Sequence, residues 1–417
     1  MLYHFYCLTR SVIHSFLRVE ELCCFLDMNL SSLLRGAFII IFTFPSLVLI
    51  LRYINTENKV SLNKEKQNKV HILILSSWRS GSSFIGQVFS QHPEVFYITE
   101  PSWHVWNRMW KNDANILQLP VRDLIRSVFQ CDMSVYDYYL PEQKTKSNVF
   151  SWQTSRALCS PPACGFFQRT DIINDRDCKK ICGKLNFSTV QEACQTYSHI
   201  AVKEVRLFRL ESIYPLINDP ALNLRIIHLV RDPRAVLNSR EKALWSLIND
   251  NKILLNSQSK SLGNDSNYKV METICRSQFR IHKTATTEGP SSLKNRYLVV
   301  RYEDVAFDPL GKVKEMYRFT NLNLSPKLES WIHDITHGSE KDYTEFQITS
   351  RDAQSISHSW RNKLSFLNVT KVQQVCKEAM DLFGYKLVSS EKELKSFSLD
   401  LVSRDKAVSV KNKHRFW

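Results

Sequence analysis

No block of lysines and arginines of the kind found in nucleic-acid-binding arms occurs in this 417-residue chain, and no zinc-finger spacing does either. Nucleic acid is therefore not an expected partner. The Gly-x4-Gly-Lys-Ser/Thr signature of P-loop kinases and triphosphatases is also missing, although a strand–loop–helix pattern that could house it is present. No internal repeat occurs. No small-x-small cleavage site follows the one long apolar run, so that run reads as an uncleaved anchor rather than a removable signal.

What is present begins with charge. Lys and Arg number 56 against 41 Asp and Glu, a formal net charge of +15. Anionic glycans, phosphorylated cofactors and membrane headgroups all suit that sign, so charge alone does not choose among them. The 11 cysteines say more: Cys7, Cys23 and Cys24 precede the apolar run, and the other eight follow it. Cys159, Cys164, Cys178, Cys182 and Cys194 crowd together, and Cys178-x3-Cys182 lacks a partner pair for zinc, so disulfides are expected. Asn186, Asn264, Asn323 and Asn368 each begin an Asn-x-Ser/Thr sequon, again after the apolar run. Cysteines and sequons together point to the secretory lumen.

The run itself, Gly36 to Leu51, is uncharged and bounded by Arg35 and Arg52. With snorkelling arginines it is long enough for a membrane helix, so residues 35–52 are read as a signal-anchor. Residues 1–34 then lie in the cytoplasm and 53–69 form a polar stem. The lysines of that stem argue for the reverse orientation, but a translocated domain bearing the sequons overrides flanking charge. A lumenal domain follows at 70–390, with a Cys-rich insert at 131–194 and a C-terminal tail at 391–417.

Within the domain the organising stretch is 70–90. Val70 to Leu75 reads as a buried parallel strand, Ser76 to Ser82 as a small-residue loop, and Phe84, Ile85, Val88 and Phe89 as the apolar face of a helix. Loop amides at a helix N-terminus, the hydroxyls of Ser80, Ser82 and Ser83, and the charge of Arg79 make an anion site. Further strands are expected at Val95–Ile98, His199–Val205, Leu224–Val230 and Tyr297–Arg301. Helices are expected at Val121–Phe129, Ala235–Leu247 and Val369–Phe383, and a loop at 249–268. Trp103, Trp106 and Trp110 read as a core stripe. The alternation predicts a three-layer α/β fold, with a mainly parallel sheet and ligands at the strands' C-terminal edge.

A second phosphate motif is Arg231-Asp232-Pro233-Arg234-Ala235-Val236-Leu237-Asn238-Ser239. An Arg leaving a buried strand and a Ser on the next helix can converge on one phosphate. Read alone, the stretch fits a solvated helix face with an Arg–Asp pair equally well.

The paired stretches Ser-Ser-Trp-Arg-Ser-Gly-Ser-Ser-Phe and Leu-Val-Arg-Asp-Pro-Arg-Ala-Val resemble the two nucleotide motifs of Golgi carbohydrate sulfotransferases. The N-acetylglucosamine 6-O-sulfotransferase branch is the most similar. Glu100 to Trp106, Cys131 to Val135, Lys203 to Arg206 and Val300 to Asp304 look like that branch too. The resemblance spans residue 70 to about 385, and it implies the donor 3′-phosphoadenosine 5′-phosphosulfate with no metal. Ser76, Ser77, Trp78, Arg79, Ser80, Gly81, Ser82 and Ser83 would hold its 5′-phosphosulfate, and Arg231 and Ser239, within the stretch from Arg231 to Ser239, its 3′-phosphate. The acceptor it implies is the 6-hydroxyl of N-acetylglucosamine on a glycoprotein or glycolipid, with galactose and N-acetylgalactosamine as alternatives. A Golgi single-pass type II protein with a lumenal catalytic domain follows, with a second copy of the chain as a further candidate partner. A kinase, and a non-catalytic glycan-binding ectodomain, are the competing readings; the first lacks its motif, the second leaves two phosphate motifs unused.

A sugar hydroxyl needs a base. Glu100 ends the strand after the phosphate loop and is the first candidate; Glu204 is the second. Pro101 is expected to hold Glu100 extended, and the tryptophans to raise its pKa. Lys203 or Arg206 would orient the acceptor or steady the sulfate.

Overall fold

The computed structural model describes residues 69–150, 152–257, 262–263, 265–339 and 351–404. The expected N-terminal segment at 1–34, the expected anchor at 35–52 and the expected stem up to residue 68 lie outside the described residues, as do Asn264 and the last 13 residues of the expected tail. Among the described residues no helix is long and apolar enough to cross a membrane.

Five strands, β1 Val70–Leu75, β2 Val95–Thr99, β3 His199–Glu204, β4 Asn223–Val230 and β5 Tyr297–Arg301, form one sheet in the order β2-β3-β1-β4-β5. Every pairing in it is parallel. The apolar runs are continuous because both faces are covered, and alternate side chains supply two cores. Leu73, Leu75, Phe96, Ile98, Val202 and Ile226 face one core. Ile72, Ile74, Val95, Tyr97, Ile227 and Leu229 face the other, with Ile85, Val88 and Phe89 of helix α1 (Ser82–Ser90). This is the three-layer arrangement expected.

On the first face lie α2 (Ala114–Phe129), α3 (Pro233–Lys242), α4 (Ile248–Leu254) and α5 (Ser266–Lys283). Helix α2 starts earlier than its apolar pattern predicts, because Asp113 caps it by accepting from the amides of Asn115 and Ile116. The single helix expected over Ala235–Leu247 is two. Helix α3 stops at Lys242, a turn runs through Ala243 to Leu247, and α4 occupies the start of the segment expected as a loop. The helix expected at Val369–Phe383 is likewise split into α6 (Phe366–Val375) and α7 (Lys377–Phe383). The break is at Cys376, bonded to Cys275 on α5, and Gly384 ends α7 with φ 75°.

All eight cysteines from Cys131 onward are paired: Cys131–Cys194, Cys159–Cys178, Cys164–Cys182 and Cys275–Cys376. Cys178 and Cys182 bond to different partners, so both are committed to disulfides. The folded part runs past residue 390: Leu394, Leu401 and Val402 are buried, and Arg361 donates to the carbonyls of Glu393, Leu394 and Leu399. Trp106 is core, but Trp103 and Trp110 are 36% and 49% exposed, so the tryptophan stripe is only partly core.

Candidate active site

Parallel register brings the ends of four strands to one edge. Leu75 lies opposite Glu204 and Thr99 opposite Lys203, so the phosphate loop, Glu100 and the Lys203–Arg206 stretch meet there. Ser76 fastens the loop, its amide donating to the Glu204 carbonyl at 3.0 Å and its hydroxyl to the Leu229 carbonyl at 2.8 Å. The Ser77 and Ser80 hydroxyls bond each other at 2.7 Å. These three serines shape the loop and are buried beneath it. Arg79 and Gly81 adopt φ of 68° and 85°. A Cβ at Gly81 would strike the Tyr302 ring, so only glycine fits this bend. Gly81 offers no side-chain cap, and the first-turn amides of Ser82 and Ser83 have no intrahelical acceptor.

Trp78, Arg79, Gly81, Ser82 and Ser83 line a cleft of about 240 Å³ with Glu100, Arg206, Arg231 and Ser239. Arg79 donates from Nε to Ser239 Oγ at 3.0 Å, and Arg231 donates from Nη1 to the Arg79 carbonyl at 3.0 Å. The two sequence motifs are thus in contact. Arg231 lies over the Tyr302 ring at 4.4 Å, and its Nε is buried without a hydrogen-bond partner, as is Nε1 of Trp78. Orphaned donors beside a helix N-terminus suit an anionic ligand.

Between Arg231 and Ser239 the structure corrects the sequence reading. Asp232 caps α3, and its carboxylate binds Arg234, Nη2 to Oδ2 at 2.7 Å. Arg234 is fully buried, bonds Gln373 and the Lys386 carbonyl, and lies over Trp360 at 4.4 Å. It faces away from the cleft and braces the loop from behind. Pro233, Ala235, Val236, Leu237 and Asn238 are buried in α3 and do not line the cleft. Behind Arg231, Glu303 accepts from the Asp232 amide at 3.1 Å and from the Tyr385 hydroxyl at 2.8 Å. Burial, with Asp232 adding to it, pushes the Glu303 pKa up to about 7.

The carboxylates also differ from expectation. Glu100 is not extended: its φ is 43°, a left-handed conformation that clears the clash Pro101 imposes on the right-handed one. Its Oε1 pairs with Lys203 Nζ, and Arg206 Nη1 lies 2.7 Å from its Oε2. Burial raises its pKa, but these two cations outweigh burial and hold it below the ordinary carboxylate value. The expected rise does not occur. Glu204 is buried off the cleft: Oε1 accepts from the amides of Val205 and Arg206, and Oε2 from that of Ser102. It is a turn-capping carboxylate, with its pKa raised by burial. Lys203 is also fully buried and meets Glu100 rather than the open cleft.

Asp250, Trp152, Ser246 and Leu247 line the cleft and carried no sequence signal. Asp250 binds Arg206, Nη2 to Oδ2 at 2.7 Å, and with Glu100 and Glu204 it raises the Arg206 pKa against the opposing effect of burial. Arg206 and Arg240 each sit 5.6 Å from the Trp78 ring centroid, which fixes the cleft wall. Among the described residues no group of three or more His, Cys, Asp or Glu is placed to hold a metal ion.

A family model described as a sulfotransferase domain matches residues 69–384. This chain belongs to the sulfotransferase family. Its sequence is 52% identical to carbohydrate sulfotransferase 5 of Mus musculus over 336 residues, covering 80% of this chain and 85% of that protein. Identity with carbohydrate sulfotransferase 6 of Homo sapiens is 50%, at 80% and 85% coverage, and with carbohydrate sulfotransferase 4 of Mus musculus 44%, at 84% and 91%. The branch to which the loop motifs pointed is the branch in which this sulfotransferase lies. A sulfotransferase domain from the curacin biosynthetic pathway aligns over 77% of this chain and 99% of that chain, with 15% identity and a TM-score of 0.42.

Proposed function

We propose that this sulfotransferase moves the sulfuryl group of 3′-phosphoadenosine 5′-phosphosulfate to the 6-hydroxyl of N-acetylglucosamine in a glycan by in-line displacement. The observation that carries the reading is the contact of the two anion sites, Arg79 Nε to Ser239 Oγ and Arg231 Nη1 to the Arg79 carbonyl, in one cleft with a carboxylate. The names of the relatives support a carbohydrate acceptor. Disulfides and exposed sequons at Asn186 and Asn323 support a Golgi lumenal domain, with residues 35–52 as its anchor.

The donor supplies an activated sulfuryl group when bound. Ser82 and Ser83 amides with Arg79 hold its 5′-phosphosulfate, and Arg231 and Ser239 its 3′-phosphate. Positioning and charge stabilisation dominate such transfers, and fixed arginines provide both. Glu100 takes the hydroxyl proton at Oε2, the oxygen that Arg206 holds at the cleft wall, where a second lone pair stays available. A low carboxylate pKa keeps Glu100 ionised. It suffices as a base because a hydroxyl that is bonding to sulfur becomes strongly acidic. Lys203, Arg206 and Asp250 fix the direction of Glu100.

The test is transfer of labelled sulfate by the purified protein to matched glycans ending in N-acetylglucosamine, galactose or N-acetylgalactosamine. Label on C6 of N-acetylglucosamine is expected. Label on galactose alone would reassign the acceptor, and no label on any glycan would overturn carbohydrate transfer.

A further inference from the structure

A second cleft, of about 340 Å³, shares Trp152 with the first as a common wall. Its remaining lining is unlike that of the donor site. Arg176, Lys179 and Lys180 come from one short helix, Asp175–Cys182, at spacings that put their side chains on neighbouring positions. All three are exposed. Asn174 caps that helix, accepting from the amides of Arg176 and Asp177, and Cys178 and Cys182 bolt it to Cys159 and Cys164. The cations therefore stand on a fixed base rather than a loose loop.

Two further groups define the ligand. Gln153 lines this cleft, and its Nε2 donates at 3.3 Å to the carbonyl of Ser83, a residue that lines the first cleft. Its Oε1 is buried with no hydrogen-bond partner, an acceptor ready for a hydroxyl donor. The only acid in the lining is Asp175, whose carboxylate already accepts from the Thr154 hydroxyl and whose pKa burial raises. Three cations thus face one carboxylate whose charge is disfavoured. An aromatic wall, an orphaned acceptor and clustered cations suit a sugar bearing hydroxyls and an anionic substituent.

We propose that the second cleft is an acceptor subsite, which takes a sugar beyond the reacting one and selects for a sulfate ester or carboxylate on it. The inference rests on the proposed carbohydrate acceptor. It adds that this enzyme prefers glycans already carrying negative charge, and that Trp152 separates the reacting sugar from its charged neighbour.

Three oligosaccharides ending in the same reacting sugar test it: one uncharged, one with a sulfate ester and one with a carboxylate on the adjoining residues. The wild-type full chain is expected to show a KM about tenfold lower for one or both charged acceptors than for the uncharged one. The arm that gains identifies the anion. K179E/K180E, a surface charge reversal, is expected to erase that difference while leaving kcat, donor KM and the KM for the uncharged acceptor within about twofold. Direct titration of the charged oligosaccharides into wild type and variant, without donor, gives the same comparison as binding. If no sugar is sulfated, carbohydrate transfer fails, and the titration still decides the subsite. Equal KM and equal binding for charged and uncharged acceptors, or a preference that survives the charge reversal, would overturn it.

Discussion

Arg79 and Ser239 lie 160 residues apart in sequence, yet Nε of the first donates to Oγ of the second over 3.0 Å. The loop after β1 and the helix after β4 are therefore tied to each other directly. Arg231 adds a second link by donating from Nη1 to the Arg79 carbonyl at 3.0 Å.

Removing either 3′ contact should be felt chiefly as lost donor affinity. Arg231→Ala is expected to weaken donor binding about tenfold or more, the value of a charge-assisted hydrogen bond, and Ser239→Ala about three- to tenfold. Because both residues also touch Arg79, turnover should fall as well, while acceptor KM stays within about twofold. Calorimetric titration with the desulfated nucleotide, alongside steady-state kinetics, checks both halves. An intact donor affinity with a raised acceptor KM would move this motif to the sugar site.

The two glutamates should separate cleanly. Glu100→Gln keeps shape but removes basicity, so turnover should drop about 10²- to 10⁴-fold. It also leaves Lys203 and Arg206 with less compensation, and stability should fall by a few kcal/mol, about 3 being typical for a broken buried pair. Glu204→Gln presents an N–H to the Ser102 or Val205 amide, costing about 1–3 kcal/mol. Turnover per folded molecule should then be nearly unchanged. Kinetics corrected for active-site concentration, paired with urea melts, distinguish the outcomes; a Glu100→Gln enzyme with most of its turnover would remove the base role from that residue.

Glu303 should write a slope into the stability–pH curve. Its folded pKa, about 7, lies above the ordinary 4.5, so the folded state binds the extra proton between those values. Stability is then fully present below about pH 4.5 and declines as pH rises through about 7, by about 3 kcal/mol in all for this group. Denaturant melts from pH 5 to 8 should show that decline in the wild type and a flatter curve in Glu303→Gln. Parallel curves would mean that Glu303 is not the group titrating.

Much of this was legible in the residues. Buried parallel strands are continuous apolar runs, so β1 and β5 stand where the sequence puts them and the other three differ by one residue at an end. The strand–loop–helix junction was legible because the apolar run of β1, the small residues with Gly81 and the helical spacing from Phe84 onward follow one another directly. The partners of Glu100 were not: Lys203 and Arg206 follow by 103 and 106 residues, and only the adjacency of β2 and β3 joins them. Arg234 misled for the same reason, since Trp360, Gln373 and the Lys386 carbonyl that enclose it lie more than 120 residues on. Asp250 had no signal at all, standing in an Asn-rich stretch whose helix depends on packing rather than composition.

The bracing behind Arg231 fixes when the site comes into being. Arg234 needs Gln373 and the carbonyl of Lys386, Glu303 needs the hydroxyl of Tyr385, and Arg301 needs the carbonyls of Phe383 and Ser403. A chain is synthesised and domains form from the N-terminus onward. The Ser76–Ser83 loop, Glu100 and even Arg231 thus leave the ribosome long before the residues that hold the second loop in place. The contacts that brace the second loop are therefore complete only once the chain has been made through residue 403.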